Sequence, residues 1–321
     1  MYDVVALGEL IIDFTPMGNS PGGNSLFERN PGGAPANVLA CLANLGKKTG
    51  FIGKVGNDEF GRFLSGVLHA QNIDTGGLLF DSEGNTTLAF VHLMEMGERI
   101  FSFYRDLGAD TLLRKEEIRE ELLQTKIFHF GSLSLTHEPA RSATLYALDV
   151  AKSYHAFISY DPNLRLPLWP SESKAKQQIL QVMGKVDLLK LSDEELEFLL
   201  GTSNCRKGTR QLYEQFGMQA ILVSLGAKGC FYRVGKITGH VPGFSVKSMD
   251  TTGAGDGFLG GILYKILEKE IDLSRWTRAD LEEAIRFANS VGALVTTRRG
   301  AIPAMPSMDE INRLVTETEV S

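Results

Sequence analysis

Strand-like runs alternate with helical runs along most of this chain, and that order restricts the fold more than any other feature. The run 3–8 is typical of a strand, and 35–45 carries apolar residues at helical spacing. Strands joined by a helix usually run parallel, and the helices then cover both faces of the sheet. The sequence therefore predicts an α/β fold with a mostly parallel central sheet. The predicted helices span 35–45, 59–70, 138–154, 173–184, a segment from Asp193, 206–216, 254–269 and 279–296, and the last two close the chain.

Two β-rich pieces interrupt this alternation. Residues 86–94 and 99–104 are strand-like and are joined by 95-EMGE-98, which predicts a hairpin without a helix between its strands. Residues 15–34 form the other piece. We expect a single domain that covers 1–321, with a small β-sheet lid formed by about 15–34 and 86–105.

The composition argues against nucleic-acid and membrane partners. The formal net charge is −6, whereas nucleic-acid binding usually needs a basic face. The chain contains no run of 18 apolar residues, and its N-terminus lacks the positive segment of a secretory signal. Three widely spaced cysteines and six scattered histidines predict neither disulfides nor a zinc site. We expect a cytoplasmic protein.

Polar residues follow several of the predicted strands. In open parallel sheets, ligands bind beyond the carboxyl ends of the strands. Each of these residues alone is also typical of a solvated turn, but together they predict a ligand site at one edge of the sheet. They are Asp13, Asp161 with Asn163, Lys190 with Asp193, Gly226 and the segment 250-DTTGAGD-256.

The segment 253-GAGD-256 leads into an apolar helical run. Small residues let the amides of Gly253, Ala254 and Gly255 approach an anion at a helix N-terminus, where the helix dipole favours negative charge. Asp256 lies one step further in and is placed to accept a proton from a bound hydroxyl. This arrangement predicts phosphoryl transfer. The alternative is an ordinary helix start with an aspartate in its first turn.

The full string DTTGAGDGF resembles the C-terminal signature of the ribokinase-like (PfkB) carbohydrate kinases. Further segments resemble the same family in the same order, and together they cover nearly the whole chain. They are 8-GELIIDF-14, 32-GGAPANVLACLANLG-46, 53-GKVGNDEFG-61, 103-FYR-105, 161-DPNLR-165 and 191-LSDEE-195, and they are most similar to fructokinases. The resemblance implies a ribokinase-like three-layer α/β/α core with a small β-sheet lid, and an ATP-dependent sugar kinase.

The resemblance also implies roles for the residues that match the family's motifs. Asp256 is the general base, and Gly253, Ala254 and Gly255 form the anion hole. The residues expected at the sugar are Asp13, Gly32, Gly33, Asn37, Tyr104, Arg105, Asp161, Asn163, Arg165 and Asp256. The residues expected at ATP are Lys190, Ser192, Ser224, Gly226, Ala227, Gly229, Gly253, Gly255 and Asn289. Without the resemblance, Asn289 is typical of a helix surface.

The resemblance further implies Mg²⁺ with ATP and, as in many members of the family, a monovalent cation. Glu195 holds the position of a glutamate that contacts magnesium through water, but Ser192 replaces the asparagine that usually begins this motif. Ser192 and Glu195 also have the spacing of a helix capping box, and both interpretations hold together. The positions that match the potassium site are Asp250, Thr252, Val295, Arg298, Gly300 and Ala304.

Two arginines leave the identity of the sugar open. Arg105 and Arg165 are suited to the oxygens of a neutral ketose or to the carboxylate of a sugar acid, and Arg105 alternatively pairs with a carboxylate such as Asp106. The similarity of GGAPANV and FYRDLGADTLL to fructokinases favours ATP + D-fructose = ADP + D-fructose 6-phosphate. The alternatives are 2-keto-3-deoxygluconate, another ketose or a nucleoside as substrate. A non-catalytic sugar-binding regulator is a further alternative, against which the intact Asp256 argues.

Motifs of other nucleotide-binding classes are absent from the sequence. It contains no GxxxxGK[ST], no HRD or DFG, and no GxGxxG after the first strand. A P-loop enzyme, a protein kinase and a dinucleotide-dependent oxidoreductase are therefore disfavoured. We expect the lid to close over the sugar and exclude water, with a hinge near Gly32 and Gly33. An exposed apolar face on the lid would support a homodimer.

Overall fold

Two β-sheets and the helices around them make up the computed structural model, which describes residues 1–93, 99–269 and 271–317. The described strands are β1 (Tyr2–Leu7), β2 (Ile11–Asn19), β3 (Ser25–Gly32), β4 (Thr49–Gly56), β5 (Asp74–Asp81), β6 (Leu88–Leu93), β7 (Arg99–Tyr104), β8 (Thr125–Gly131), β9 (Phe157–Asp161), β10 (Leu188–Ser192), β11 (Ala220–Ser224), β12 (Cys230–Val234) and β13 (Ile237–Val241). The described α-helices are α1 (Ala34–Asn44), α2 (Glu59–Ala70), α3 (Ala140–Ser153), α4 (Glu172–Val182), α5 (Asp193–Leu200), α6 (Cys205–Phe216), α7 (Ala254–Glu268), α8 (Arg278–Thr296) and α9 (Met308–Glu317).

Nine of the described strands form the central sheet, in the order β13-β12-β11-β10-β9-β8-β1-β4-β5. All neighbouring strands from β11 to β5 run parallel. Strand β12 pairs antiparallel with both β11 and β13 as a hairpin at the edge. The predicted mostly parallel sheet is therefore confirmed.

Helices cover the central sheet on both faces. Side chains of a strand alternate between the two faces, and in β1 Val4 and Ala6 join one hydrophobic core while Val5 and Leu7 join the other. The first core contains residues of α1, α2, α7, α8 and α9, and the second contains residues of α3, α4, α5 and α6. This is the three-layer α/β/α arrangement. None of the helices in the described ranges is long and apolar enough to cross a membrane.

A separate, smaller sheet has the strand order β3-β2-β6-β7. Its strands come from two places in the sequence, between β1 and α1 and between β5 and β8. Strand β2 begins at Ile11, earlier than the predicted piece 15–34. Phe14 of β2 stacks on Phe90 of β6 at 4.7 Å between ring centroids, which ties the two pieces together. Strands β6 and β7 pair antiparallel, and the predicted 95-EMGE-98 turn and Met94 lie outside the described residues.

Two elements of the structure were not predicted. Strand β5 extends the central sheet beyond β4, but its sequence DTGGLLFD has two glycines and no clear alternation. Helix α9 follows α8, so the prediction that 254–269 and 279–296 close the chain is wrong. Its sequence MDEINRLVTE places apolar residues at 308, 311, 314 and 315, and Ile311 is buried in the core, so the helical periodicity of α9 was a usable signal.

Candidate active site

A cavity of about 610 Å³ opens at the carboxyl edge of the central sheet, beside the smaller sheet. This volume is in the range of small-molecule sites. The predicted site residues that line it are Asp13, Gly33, Asn37, Asn163, Arg165, Lys190, Ser192, Ser224, Gly226, Thr252, Gly253, Gly255 and Asp256. The other predicted site residues do not line it, namely Gly32, Tyr104, Arg105, Asp161, Glu195, Ala227, Gly229, Asp250, Ala254, Asn289, Val295, Arg298, Gly300 and Ala304.

The N-terminus of α7 lies at the floor of this cavity. Gly253 caps the helix with φ +77°, and a Cβ there would lie 2.6 Å from Cβ of Ala301, so both conformation and space require glycine. The amide of Ala254 donates to the carbonyl of Thr251 at 3.2 Å. Among the described residues no such partner takes up the amide of Gly255. The Gly255 amide and the helix dipole are therefore available to an anion in the cavity.

The segment 250-DTTGAGD-256 reaches this position from a loop. Strand β13 ends at Val241, so the prediction that the segment directly follows a strand is wrong. The loop is anchored at its end, where the amides of Met249 and Asp250 donate to the carbonyl of Thr296 at 2.7 and 3.1 Å. Helix α8 thus fixes the approach to α7.

Asp256 lies in the first turn of α7 and is 8% exposed. Its Oδ2 accepts a hydrogen bond from Nδ2 of Asn37 at 2.7 Å. Burial raises the pKa of Asp256, and the charge of Lys190 and the bond from Asn37 oppose that rise. A carboxyl with a raised pKa is a stronger base once it is ionised, which suits proton abstraction from an alcohol.

Lys190 is a buried cation next to the same helix terminus. It lies within β10 rather than after it, and its Nζ donates to Oδ2 of Asp161 at 2.7 Å. A Cβ on Gly255 would lie 2.9 Å from this Nζ, so the ammonium lies against the backbone of α7. Burial lowers the pKa of Lys190, but the charges of Asp161, Glu195 and Asp256 outweigh it and raise the pKa. Lys190 is therefore charged where an anion would bind.

Ser192 and Glu195 form the predicted capping box at the start of α5. The amide of Ser192 donates to Oε2 of Glu195 at 2.7 Å, and the amide of Glu195 donates to Oγ of Ser192 at 3.1 Å. The other carboxylate oxygen, Oε1, accepts from the amide of Leu164 at 2.7 Å. Burial and the charge of Asp161 raise the pKa of Glu195, while Lys190 opposes them.

The described residues contain no group of three or more His, Cys, Asp or Glu side chains that could hold a metal ion. Both oxygens of Glu195 already accept backbone hydrogen bonds, although each keeps a further lone pair. Glu195 therefore keeps lone pairs that can accept hydrogen bonds from water.

Asp13 is half-buried in the wall that the smaller sheet contributes. It lies inside β2, so the prediction that it follows a strand is wrong. A Cβ on the facing Gly32 would lie 2.1 Å from Oδ2 of Asp13, which explains the glycine there. Burial raises the pKa of Asp13 to about 7; Arg165 opposes the shift, and Asp256 and Asp250 add to it. Arg165 is the charge that opposes the raised pKa of this carboxylate, and the position of Asp13 in the cavity wall suits hydrogen bonding to a polar ligand.

Glu9 is a cavity residue to which the sequence reasoning gave no role. It lies two residues after the end of β1, and its Oε1 accepts a hydrogen bond from the amide of Ala34 at 3.0 Å. Its Oε2 is buried without a hydrogen-bond partner among the described residues. Burial raises the pKa of Glu9 to about 7. An acidic residue two positions after the first strand, at the carboxyl edge of the sheet, was the signal that could have identified it.

The two residues predicted from the FYR motif lie outside the cavity. Tyr104 is 66% exposed and contacts Phe90 edge-on at 5.5 Å between centroids. Arg105 is buried in an ion pair with Asp110, with 2.6 Å between Nη2 and Oδ2. The alternative for Arg105, an ion pair with a nearby carboxylate, is therefore confirmed, with Asp110 rather than Asp106 as the partner.

The predicted nucleotide residues lie around the ends of β10 and β11. Gly226 lines the cavity, and Oγ of Ser224 donates to the carbonyl of Leu191 at 3.1 Å. Asn289 is 8% exposed, and its Nδ2 donates to the carbonyls of Val241 and Pro242 at 3.2 and 3.0 Å. A helix-surface position, typical for Asn289 without the family resemblance, is therefore wrong, because the side chain secures the loop that follows β13.

Part of the predicted potassium set meets beside α7. Oδ1 of Asp250 accepts from the amide and hydroxyl of Thr252 at 2.9 and 2.7 Å, and its Oδ2 accepts from the amide of Gly300 at 3.1 Å. The side chain of Arg298 forms an ion pair with Glu310. Val295 and Ala304 are fully buried.

The family model and two sequence relatives that match this chain are all of carbohydrate kinases. Residues 1–308 match the model described as pfkB family carbohydrate kinase. Probable fructokinase-4 of Arabidopsis thaliana is 44% identical over 319 residues, which cover 97% of this chain and 96% of that protein. Fructokinase-2 of Solanum lycopersicum is 45% identical over 314 residues, which cover 96% of this chain and 94% of that protein.

Solved structures with a similar fold carry nucleotide, sugar and cations. The fructokinase from Xylella fastidiosa with bound ATP superposes with TM-score 0.91 at 33% identity and covers 99% of this chain and 100% of its own. The fructokinase from Vibrio cholerae O395 with fructose, ADP and calcium gives 0.87 at 34% identity, covering 98% and 99%. A double mutant of the latter with fructose, ADP and potassium gives 0.87 at 33% identity, covering 98% of each chain.

Proposed function

The chain belongs to the pfkB family of carbohydrate kinases, and we propose that it is a fructokinase that phosphorylates D-fructose at its 6-hydroxyl with ATP. One geometric observation carries this proposal. The buried carboxylate of Asp256 and the open amide of Gly255 lie one residue apart in the floor of one cavity, with the cation of Lys190 against them. A base, an anion site and a fixed positive charge are the parts that phosphoryl transfer to an alcohol requires.

The reaction proceeds at the N-terminus of α7. Asp256 takes the proton of the 6-hydroxyl as its oxygen bonds to the γ-phosphorus of ATP, and the bond from that phosphorus to the β,γ-bridging oxygen breaks. The amides of Gly253 and Gly255 and the ammonium of Lys190 stabilise the charge on the transferred group, while the amide of Ala254 is held by the carbonyl of Thr251. ADP then leaves with the cleaved bridging oxygen, and the sugar leaves as fructose 6-phosphate.

Mg²⁺ bound to the ATP phosphates supplies charge neutralisation. Glu195 would contact this ion only through water, because both of its carboxylate oxygens accept hydrogen bonds from backbone amides. Asp250, Thr252 and Gly300 belong to a potassium site next to the anion site, with Val295, Arg298 and Ala304. The gathering of Asp250, Thr252 and Gly300 beside α7 supports this assignment.

The sugar lies between the smaller sheet and α7. Asp13, Gly33 and Asn37 bind its hydroxyls, and Asn163 and Arg165 close the pocket from the loop after β9. The cavity position of all five supports this. Asp161 does not line the cavity but orients Lys190 through their hydrogen bond. ATP lies over Ser192, Ser224 and Gly226, with Ala227, Gly229 and Asn289 on the side of the adenine.

The smaller sheet acts as a lid that excludes water during transfer. It also forms the interface of a homodimer in the cytoplasm. Three exposed apolar residues on its strands support the interface: Met17 and Leu26 are 44% and 45% exposed, and Phe27 is 38% exposed. Sedimentation equilibrium at micromolar concentration tests the assembly, and a stable monomer would exclude the dimer.

The substrate is tested by measuring ADP release with D-fructose, other ketoses, pentoses, nucleosides and 2-keto-3-deoxygluconate, with and without potassium. We expect kcat/KM for D-fructose to exceed that for every other acceptor. A hundredfold preference for the sugar acid would overturn the assignment to fructose.

A further inference from the structure

Arg105 and Asp110 form an ion pair at the junction of the smaller sheet with the rest of the molecule. Nε and Nη2 of Arg105 donate to Oδ2 of Asp110 at 2.8 and 2.6 Å. Thr87, directly before β6, donates from its hydroxyl to Oδ1 of the same carboxylate at 2.5 Å. Arg105 is 8% exposed and Asp110 is 6% exposed. Removing either partner of such a buried pair leaves the other charge uncompensated.

The pair lies directly behind the wall of the cavity. Leu133 lines the cavity, and its carbonyl accepts from Nη2 of Arg105 at 3.0 Å. Glu9 lines the same cavity; burial dominates its raised pKa, and among nearby charges Arg105 lowers this pKa while Asp110 raises it. The guanidinium is thus separated from the sugar pocket by a single layer of residues.

The guanidinium has little capacity left for a ligand. Arg105 makes four hydrogen bonds to protein groups, two to Asp110, one to the carbonyl of Leu133 and one to Oγ1 of Thr136. A guanidinium has five N–H donors, and arginine binds a ligand carboxylate best through two parallel donors on one edge. Because the Nε–Nη2 edge is filled by Asp110, the remaining donor does not offer that grip.

We propose that Asp110 determines substrate specificity by occupying Arg105, so that the cavity accepts neutral sugars and rejects sugar acids. A neutral sugar requires no second cation on this wall. A sugar carboxylate would meet Glu9 and Asp13 in the cavity, where the charge of Arg165 already acts on Asp13 and opposes the rise of its pKa. The inference rests on the proposed function and names the residue that sets its choice of substrate. Asp110 is a positioning residue, because it acts through Arg105.

The test is the ratio of kcat/KM for 2-keto-3-deoxygluconate to kcat/KM for D-fructose, measured for wild type and for Asp110→Asn. Asparagine keeps the shape and an acceptor oxygen but removes the charge, so Arg105 gains an uncompensated edge. We expect the ratio to rise at least tenfold. Asp106→Asn is the matched control, because Asp106 is an exposed aspartate in the same loop, and its ratio stays at the wild-type value.

Two outcomes overturn the proposal. An unchanged ratio in Asp110→Asn, with both substrates weakened equally, would show a purely structural pair. A raised ratio in the double variant Arg105→Leu/Asp110→Leu would show that Arg105 is not involved. If thermal melting shows that Asp110→Asn does not fold, Asp110→Ser is measured in the same way and judged by the same ratio. Wild-type turnover of fructose tests the proposed function separately, so the two failures are distinguishable.

Discussion

The side chain of Asn37 donates a hydrogen bond to Oδ2 of Asp256 over 2.7 Å, although 219 positions separate the two residues in the sequence. Close packing of α1 on α7 makes the contact possible. A Cβ on Gly260 would lie 2.6 Å from Cβ of Cys41, so the two helices approach at a glycine. Helix α1 therefore helps to position Asp256, the proposed base, through Asn37, which is also a proposed sugar-binding residue.

Asp256→Asn should lower kcat by about 10³-fold, because an amide cannot take the proton of the attacking alcohol. ATP affinity should change little, since asparagine keeps the shape of the first turn of α7. ADP-release kinetics and calorimetric titration with ATP check the two parts. Asp309→Asn is the control, because Asp309 is an exposed aspartate in the first turn of α9. Near-normal turnover of Asp256→Asn would exclude it as the base.

Gly255→Ala should raise KM for ATP by about tenfold or more. The new Cβ would lie 2.9 Å from Nζ of Lys190, whose partner Asp161 holds it in place. The displaced ammonium and the crowded amide would both weaken phosphate binding. In Gly66→Ala the added Cβ in α2 meets nothing within 4 Å, so this control should keep wild-type kinetics. Equal KM values for ATP in Gly255→Ala and Gly66→Ala would contradict the assignment of the anion site.

Asp13→Asn should stabilise the ligand-free protein more at pH 8 than at pH 5. The folded pKa of Asp13 is raised to about 7, so ionisation disfavours the folded state increasingly as the pH rises from the unfolded value toward 7. Asparagine removes this cost, which we expect to be about 1–3 kcal/mol above pH 7. Urea unfolding at both pH values measures it. The same gain at both pH values would refute a raised pKa at Asp13.

Gly33→Ala should reduce stability more than Gly46→Ala and should also raise KM for fructose. Both glycines have positive φ, +118° and +79°, so both substitutions carry backbone strain of about 1–2 kcal/mol. Only at Gly33 does the added Cβ also clash, at 2.3 Å from the carbonyl oxygen of Glu9; nothing lies within 4 Å at Gly46. Thermal melting and fructose kinetics of the two variants separate the effect of strain from that of the clash. Equal losses of stability and equal KM values for fructose in the two variants would contradict the assignment of Gly33 to the sugar site.

Local sequence patterns were sufficient to predict many of the helices and strands of the fold. The capping box of Ser192 and Glu195 and the helix start at Gly253 depend on neighbours within a few positions, so their sequences are informative. The parallel sheet likewise follows from the alternation of strands and helices along the sequence. Strand β5 was missed because packing, rather than its own periodicity, stabilises it, whereas helix α9 carries apolar residues at helical spacing that could have identified it.

Contacts between distant segments could not be predicted in this way. Arg105 has an aspartate as its next neighbour, but Asp106 is exposed, and the 3-10 turn Ala109–Thr111 places Asp110 inside instead. Asn289 is buried only because the loop after β13 folds onto α8. The roles of the individual site residues remain predictions that the variants above test.

The most direct test of the central claim is a crystal structure with D-fructose and a non-hydrolysable ATP analogue. The account predicts that a carboxylate oxygen of Asp256 lies about 3 Å from the 6-hydroxyl oxygen, and that the amide of Gly255 donates to a γ-phosphoryl oxygen. A complex in which the γ-phosphoryl group lies away from the N-terminus of α7, with no sugar hydroxyl near Asp256, would contradict it.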